Sequence, residues 1–126
     1  MFKIIEGLPP DVMAIEASGK VTHVDYRDTL IPRAEAMIAK GPVRLLYVVG
    51  EDFTGFEPEA LWDDSVFGLK HWHDFNRIAV VTDHAWLSAT VQMFKPFFHG
   101  EVRVFRSAEL PAAKGWITAT PERTWP

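Results

Sequence analysis

The residues best suited to chemistry crowd into one stretch, KHWHDFNRIAVVTDHAW, from Lys70 to Trp86. Imidazoles bind metals and move protons near neutral pH, and carboxylates orient them. His71 and His73 have the H-x-H spacing of many metal sites, with Asp74, Asp83 and His84 close by in sequence. On a helix, residues two apart point about 200° apart, so this pair chelates one ion only if it lies on a strand, where both share a face. The residues before them are patterned as a helix. The pair therefore reads as a helix end, where positive histidines suit the C-terminal dipole and His71 can pair with Asp74 at i,i+3. His84 lies beyond the strand Arg77 to Thr82, roughly 20 Å long at ~3.3 Å per residue. Zinc holds nitrogen ligands at about 2 Å, so the three histidines do not share an ion. No metal site and no cofactor is expected.

Other catalytic schemes find less support. The chain has no cysteine, which removes thiol nucleophiles, thiolate zinc sites and disulfides together. There is no G-x-S-x-G elbow, and Ser18, Ser65, Ser88 and Ser107 lack a neighbouring histidine–acid pattern. Neither a G-x-G-x-x-G nor a Walker sequence is present. Asp63 and Asp64 open a helix, where the dipole favours acids and no further role is needed.

The elements that must position these residues follow from periodicity. Lys3 to Ile5 and Val12 to Ala17 read as strands separated by the turn Gly7-Leu8-Pro9-Pro10. Thr22 caps a helix with Asp25 as its capping-box partner, and Leu30, Ile31, Ala34, Met37 and Ile38 form its apolar stripe. Pro32 inside that pattern predicts a kink or restart. Val43 to Val49 is a continuous apolar run of strand length, buried on both faces. A helix from about Pro58 is expected to bury Leu61, Trp62, Ser65, Val66, Leu69 and Trp72. Ile78 to Thr82 is a second central strand, and Asp83 is placed to cap the next helix. There Leu87, Val91, Phe94 and Phe98 share a side that Met93 and Phe97 widen, and Trp86, Phe94, Phe97 and Phe98 form an aromatic set read as core, or as the lining of an apolar cavity. Glu101 to Phe105 is the last strand, followed by Ser107 as a cap and a helix from Ala108 to Ile117. The order ββαβαβαβα predicts an α/β fold: a single-layer, mixed, mostly parallel five-stranded sheet flanked by about four helices.

At 126 residues the chain is one domain. Its net charge of −4 and scattered basic residues argue against nucleic acid as a partner. No segment approaches a membrane span, and MFKIIEGLPP carries too short an apolar run for a signal peptide, so a cytoplasmic location is expected. Residues 119–126 carry two prolines and read as a flexible tail, in which Trp125 offers an anchor for a homodimer.

Several longer patterns carry a family resemblance: VDYRDTLIPRAEAMI, GPVRLLYVV, FTGFEPEALWDD, FNRIAVVTDHAW and GEVRVFRSAELPAAKGWI. Together with the order of elements, they resemble the SpoIIAA-like family over residues 1–118. That family is related in fold to STAS domains and to lipid-binding Sec14 (CRAL-TRIO) domains. The resemblance implies a mixed sheet flanked by helices and no established activity. Its anti-anti-sigma relatives carry a phosphorylated serine in the turn after the third strand. Here that turn reads Glu51-Asp52-Phe53-Thr54-Gly55, so the serine is missing and Thr54 is the nearby hydroxyl.

In open α/β sheets, ligands bind beyond the carboxyl ends of the parallel strands. Those ends carry Ser18 and Lys20, then Glu51, Asp52 and Thr54, then Asp83 and His84. Helix starts near Pro58 and His84 are suited to a small anion, and Phe53, Phe56 and Trp62 to an apolar lip. The leading expectation is a non-catalytic module binding a small apolar or anionic ligand, or a partner protein, through Phe53, Thr54, Phe56, Trp62 and His84. The alternatives are a hydrolase with His84 as general base oriented by Asp52 or Asp83, and a regulator phosphorylated on Thr54.

Overall fold

The computed structural model describes residues 1–60, 66, 67, 70, 71, 73–98 and 100–119. Seven strands are present among them: β1 (Phe2–Ile4), β2 (Val12–Ala17), β3 (Lys20–Val21), β4 (Val43–Val49), β5 (Gly55–Phe56), β6 (Phe75–Val81) and β7 (Glu101–Phe105). Five of them form one sheet in the order β1-β2-β4-β6-β7. β1 runs antiparallel to β2, and every other neighbouring pair in that sheet is parallel. The fold is thus the expected α/β arrangement around a mostly parallel sheet. β3 and β5 were not anticipated. They pair in parallel, Lys20 opposite Gly55 and Val21 opposite Phe56, and two residues are too few to show any periodicity.

The first helical stretch forms as the capping pattern predicts, and then changes character. Thr22 caps α1 (His23–Asp25): its hydroxyl accepts from the Asp25 amide at 3.2 Å, and the Asp25 carboxylate accepts from the Thr22 amide at 2.8 Å. A π-helical turn, Tyr26–Leu30, follows, and α2 (Ile31–Ile38) restarts with Pro32 in its first turn. Pro32 has no amide to donate, and its ring would press on the carbonyl four residues earlier. The wider π turn accommodates that demand. Residues 58–60, 66, 67 and 70 are helical. Farther on come α3 (Ala85–Phe94), a 3₁₀ turn at Lys95–Phe97 that absorbs Pro96, and α4 (Leu110–Thr118) behind a second 3₁₀ turn at Ser107–Glu109. Gly100 is required at the entry to β7, because a Cβ there would collide with the Asn76 carbonyl.

Strand alternation divides the core between the two faces of the sheet. On one face Met13, Ile15, Ala17, Val43 and Val49 pack with Tyr26, Leu30, Ala34, Phe53 and Phe67. On the other, Val12, Ala14, Leu46, Val48, Ala79 and Val81 pack with Ala113 and Ile117 of α4. Two basic side chains fasten α4 at its carboxyl end. Arg44 donates to the Ala119 carbonyl at 2.8 Å while pairing with Asp11, and Arg77 donates to the Trp116 carbonyl at 3.1 Å. Arg77 and Arg103 each lie over the Trp116 ring, at 5.2 and 5.3 Å.

Several expected core positions are corrected. Val66 is 46% exposed and its neighbour Phe67 is buried instead. On α3 no residue is buried; Trp86 is 53%, Met93 68% and Phe94 65% exposed. Leu87 and Phe98 do pack partly against the core. The stripe was read correctly as apolar, but the sheet accepts only its inner margin. Leu61, Trp62, Asp63, Asp64, Ser65, Leu69, Trp72, the Phe97 side chain and the tail 120–126 with Trp125 lie outside the described residues.

Candidate functional site at the carboxyl edge of the sheet

Three parallel strands deliver their carboxyl ends to one cleft of about 230 Å³, lined by Val49, Gly50 and Glu51 after β4, Asp83 and His84 after β6, and Ser107 after β7. Local hydrogen bonds shape each turn. The Gly50 amide donates to the Ala17 carbonyl at 2.8 Å, and the Phe53 amide to the Gly50 carbonyl at 3.2 Å. A Cβ on Gly50 would lie 3.0 Å from Glu16 Oε2 and 3.2 Å from Asp52 Oδ1, so the turn suits glycine and gathers two further carboxylates around it. Thr82 continues the sheet by donating to the Phe105 carbonyl at 2.8 Å. Its buried hydroxyl accepts from the His84 amide at 3.0 Å, which turns the chain into α3.

Asp83 does not cap α3, contrary to expectation. His84 occupies the cap position and makes no capping bond through its side chain. The Asp83 carboxylate instead accepts from the Ser107 amide at 2.9 Å. The Ser107 amide and hydroxyl, with weaker help from Arg106 and His84, hold its carboxyl below the usual 3.8. Asp83 is thus an ionised staple between β6 and the chain after β7, and it is aimed at Ser107 rather than at the His84 ring. Asp52, the other candidate, is exposed beside Gly50 and makes no hydrogen bond to His84.

His84 joins an aromatic group. Its ring meets Phe53 edge-on at 5.6 Å and Trp86 at 6.4 Å. Phe53, 4% exposed, is the centre: Phe56 meets it at 5.1 Å, and Trp86 stacks on it at 6.5 Å with 24° between planes. The structure therefore brings Phe53, Phe56 and His84 together as an apolar lip. Thr54 is exposed and outside the cleft lining; its amide donates to the Gly19 carbonyl at 2.8 Å as the chain enters β5. Ser18 and Lys20 flank this same edge, where Ser18 Oγ donates to the Met1 carbonyl at 3.4 Å and Lys20 opens β3.

Trp86 and Ser107 are the residues that sequence reasoning placed elsewhere. Trp86 was read by its spacing as core or as the lining of an apolar cavity between helices, and it is 53% exposed beside Phe53 instead. Ser107 was read as a local cap, and only the adjacency of β6 and β7 brings it to Asp83.

The other two histidines of the Lys70–Trp86 stretch, His71 and His73, stand at the other end of β6. The His71 ring bonds the Asp74 carboxylate at 2.8 Å, as its spacing predicts, and also meets Glu35 of α2 at 3.4 Å and the Phe67 ring at 4.7 Å. His71 is consequently a half-buried bridge between two helical segments rather than a solvated helix end. His73 is exposed. Among the described residues no group of three or more His, Cys, Asp or Glu is placed to hold a metal ion, and no helix is long and apolar enough to cross a membrane.

The model of the SpoIIAA-like family matches residues 12–118. No curated protein matches the chain. Among solved structures, an uncharacterized protein of the DUF3478 family with a SpoIIAA-like fold, from Shewanella loihica PV-4, is 27% identical, with a TM-score of 0.74 over 92% of this chain and 93% of that one. The family match spans the four mutually parallel strands of the five-stranded sheet and the cleft at their carboxyl ends: the chain belongs to the SpoIIAA-like family.

Proposed function

We propose that this protein is a non-catalytic binding module that takes a small apolar ligand against Phe53, Phe56, His84 and Trp86. The observation that carries this reading is Trp86, half exposed yet stacked on a buried Phe53, at the start of a helix with no buried residue. Covering such a ring with an apolar ligand gains about 25 cal/mol per Å² removed from water. A helix so weakly held can shift to admit that ligand between itself and the sheet. An anion is less suited to this edge, because Glu51 and the ionised Asp83 line the cleft. A hydrolase is less suited too, since the Asp83 carboxylate beside His84 is engaged by the Ser107 amide and hydroxyl.

Native mass spectrometry of the purified protein tests the reading. The expected result is a retained apolar molecule of defined mass, lost from Trp86→Ala while the circular dichroism spectrum is unchanged. Ester hydrolysis abolished by His84→Ala would overturn it in favour of an enzyme. A dimer without a small molecule would make the same face a protein contact. A second reading rests on Thr54, which is exposed in the turn after β4 where relatives are phosphorylated. On that reading Thr54→Glu alters a partner interaction, and a variant that leaves every partner bound counts against it.

A further inference from the structure

A second cleft lies at the opposite edge of the sheet from His84. It has a volume of about 400 Å³ and sits between the β1–β2 connection and α2. That volume falls in the usual range for small-molecule sites, roughly 300–1,000 Å³. We propose that it is a binding site for a small organic anion with an apolar body, such as a medium-chain carboxylate.

The wall from the β1–β2 connection is stiff. Gly7 takes the left-handed conformation at φ +89°, Pro9 and Pro10 fix their own φ, and the Val12 amide closes the turn on the Pro9 carbonyl at 3.0 Å. A preformed wall spares a ligand the cost of ordering it. Ile5, Leu8 and Val12 give this side an apolar lining.

The facing wall is α2 and the turn beyond it, whose helical spacing does the rest. Arg33, Ala36, Met37 and Lys40 fall at i, i+3, i+4 and i+7, which places them on one side. Met37 extends the apolar floor, and small Ala36 leaves the room. Arg33 and Lys40 stand roughly 10 Å apart along the axis, within reach of one anion held between their long side chains. Both are exposed, and neither makes an ion pair or side-chain hydrogen bond with a described residue. Glu6 is the one carboxylate in the lining. Two cations against it leave the cleft net positive on a chain whose net charge is −4. The carbonyl end of α2 also lies here and would repel an anion, but its Glu35, Met37 and Ile38 carbonyls already accept from the amides of Ala39, Lys40 and Gly41.

Octanoate titrated into ¹⁵N-labelled protein and followed by NMR tests this site independently of the aromatic edge. The expected result is saturable amide shifts at Glu6 to Leu8 and Ala36 to Lys40. Octanol, which lacks the charge, should bind about tenfold more weakly, and so should octanoate to the Arg33→Ala/Lys40→Ala double variant, the effect of losing a charge-assisted hydrogen bond. Ala36→Trp, which fills the cleft from an exposed position, should abolish the shifts without altering the rest of the spectrum. Equal shifts with octanol, an unchanged affinity in the double variant, or shifts confined to Gly50 to Thr54 and Asp83 to Trp86 would each overturn the proposal.

Discussion

Two donors on Ser107 decide what Asp83 can do, and a pH experiment can read their effect. The folded-state carboxyl lies below its ordinary value of 3.8, so folding favours the ionised form. The resulting stabilisation is fully present above 3.8 and is lost as pH falls through the lowered folded-state value. Asp83→Asn keeps an acceptor for the Ser107 amide but removes the charge. Its urea midpoint should fall below wild type at neutral pH, and the gap should close in acid well below 3.8. A gap that is the same in acid and at neutrality would mean that the charge contributes nothing. Thr22 offers a simpler case, because its reciprocal bonds with Asp25 are local. Thr22→Ala should cost about 1 kcal/mol in urea unfolding. The Thr22–Asp25 box was legible because both partners sit within four residues of sequence. Asp83 was not, because its true partner is Ser107, which only the parallel pairing of β6 with β7 brings near.

Elements were read well where periodicity was long and poorly where tertiary packing chose a face. The runs VRLLYVV and EVRVF gave β4 and β7 at their observed bounds, since an apolar run of that length between turn residues has few alternatives. Pro32 announced the break between the π turn and α2 through covalent geometry alone. α3 shows the limit. Its spacing predicted an apolar side, but periodicity cannot say how much of that side the sheet will cover. Leu87 packs against the core while Phe94 and Met93 remain in solvent. A helix with few buried contacts opens locally at low cost. Amides within Ser88 to Phe94 should therefore exchange with deuterium through local openings, well before those of β4 and β6. Protection equal to that of the central strands would show that α3 is held more firmly than its exposure implies, and would weaken its part in ligand entry.

At the scale of the molecule, the sheet is covered unequally, and this sets where it is most vulnerable. One face packs against the π turn, α2, the residues that follow β5 and Leu87 of α3. Among the described residues the other depends largely on α4, whose Ala113 and Ile117 are fully buried against Leu46, Ala79 and Val81. The arginines that tie its carboxyl end arise from strands on that same face, so packing and hydrogen bonding there act as one unit. Ile117→Ala removes a side chain with no exposure and should lower global stability by about 3 kcal/mol, as buried aliphatic truncations do. Arg44, 12% exposed, holds both Asp11 and the Ala119 carbonyl; Arg44→Met should cost about 1.5–3 kcal/mol, the range for hydrogen bonds to a charged group. In both variants urea transitions followed by far-ultraviolet circular dichroism and by tryptophan fluorescence should coincide and keep the wild-type slope, because the faces share the strands between them. If exchange protection were instead lost only across Leu110 to Thr118, with an unchanged midpoint, α4 would be a dispensable cover, and the two faces would not form one cooperative core.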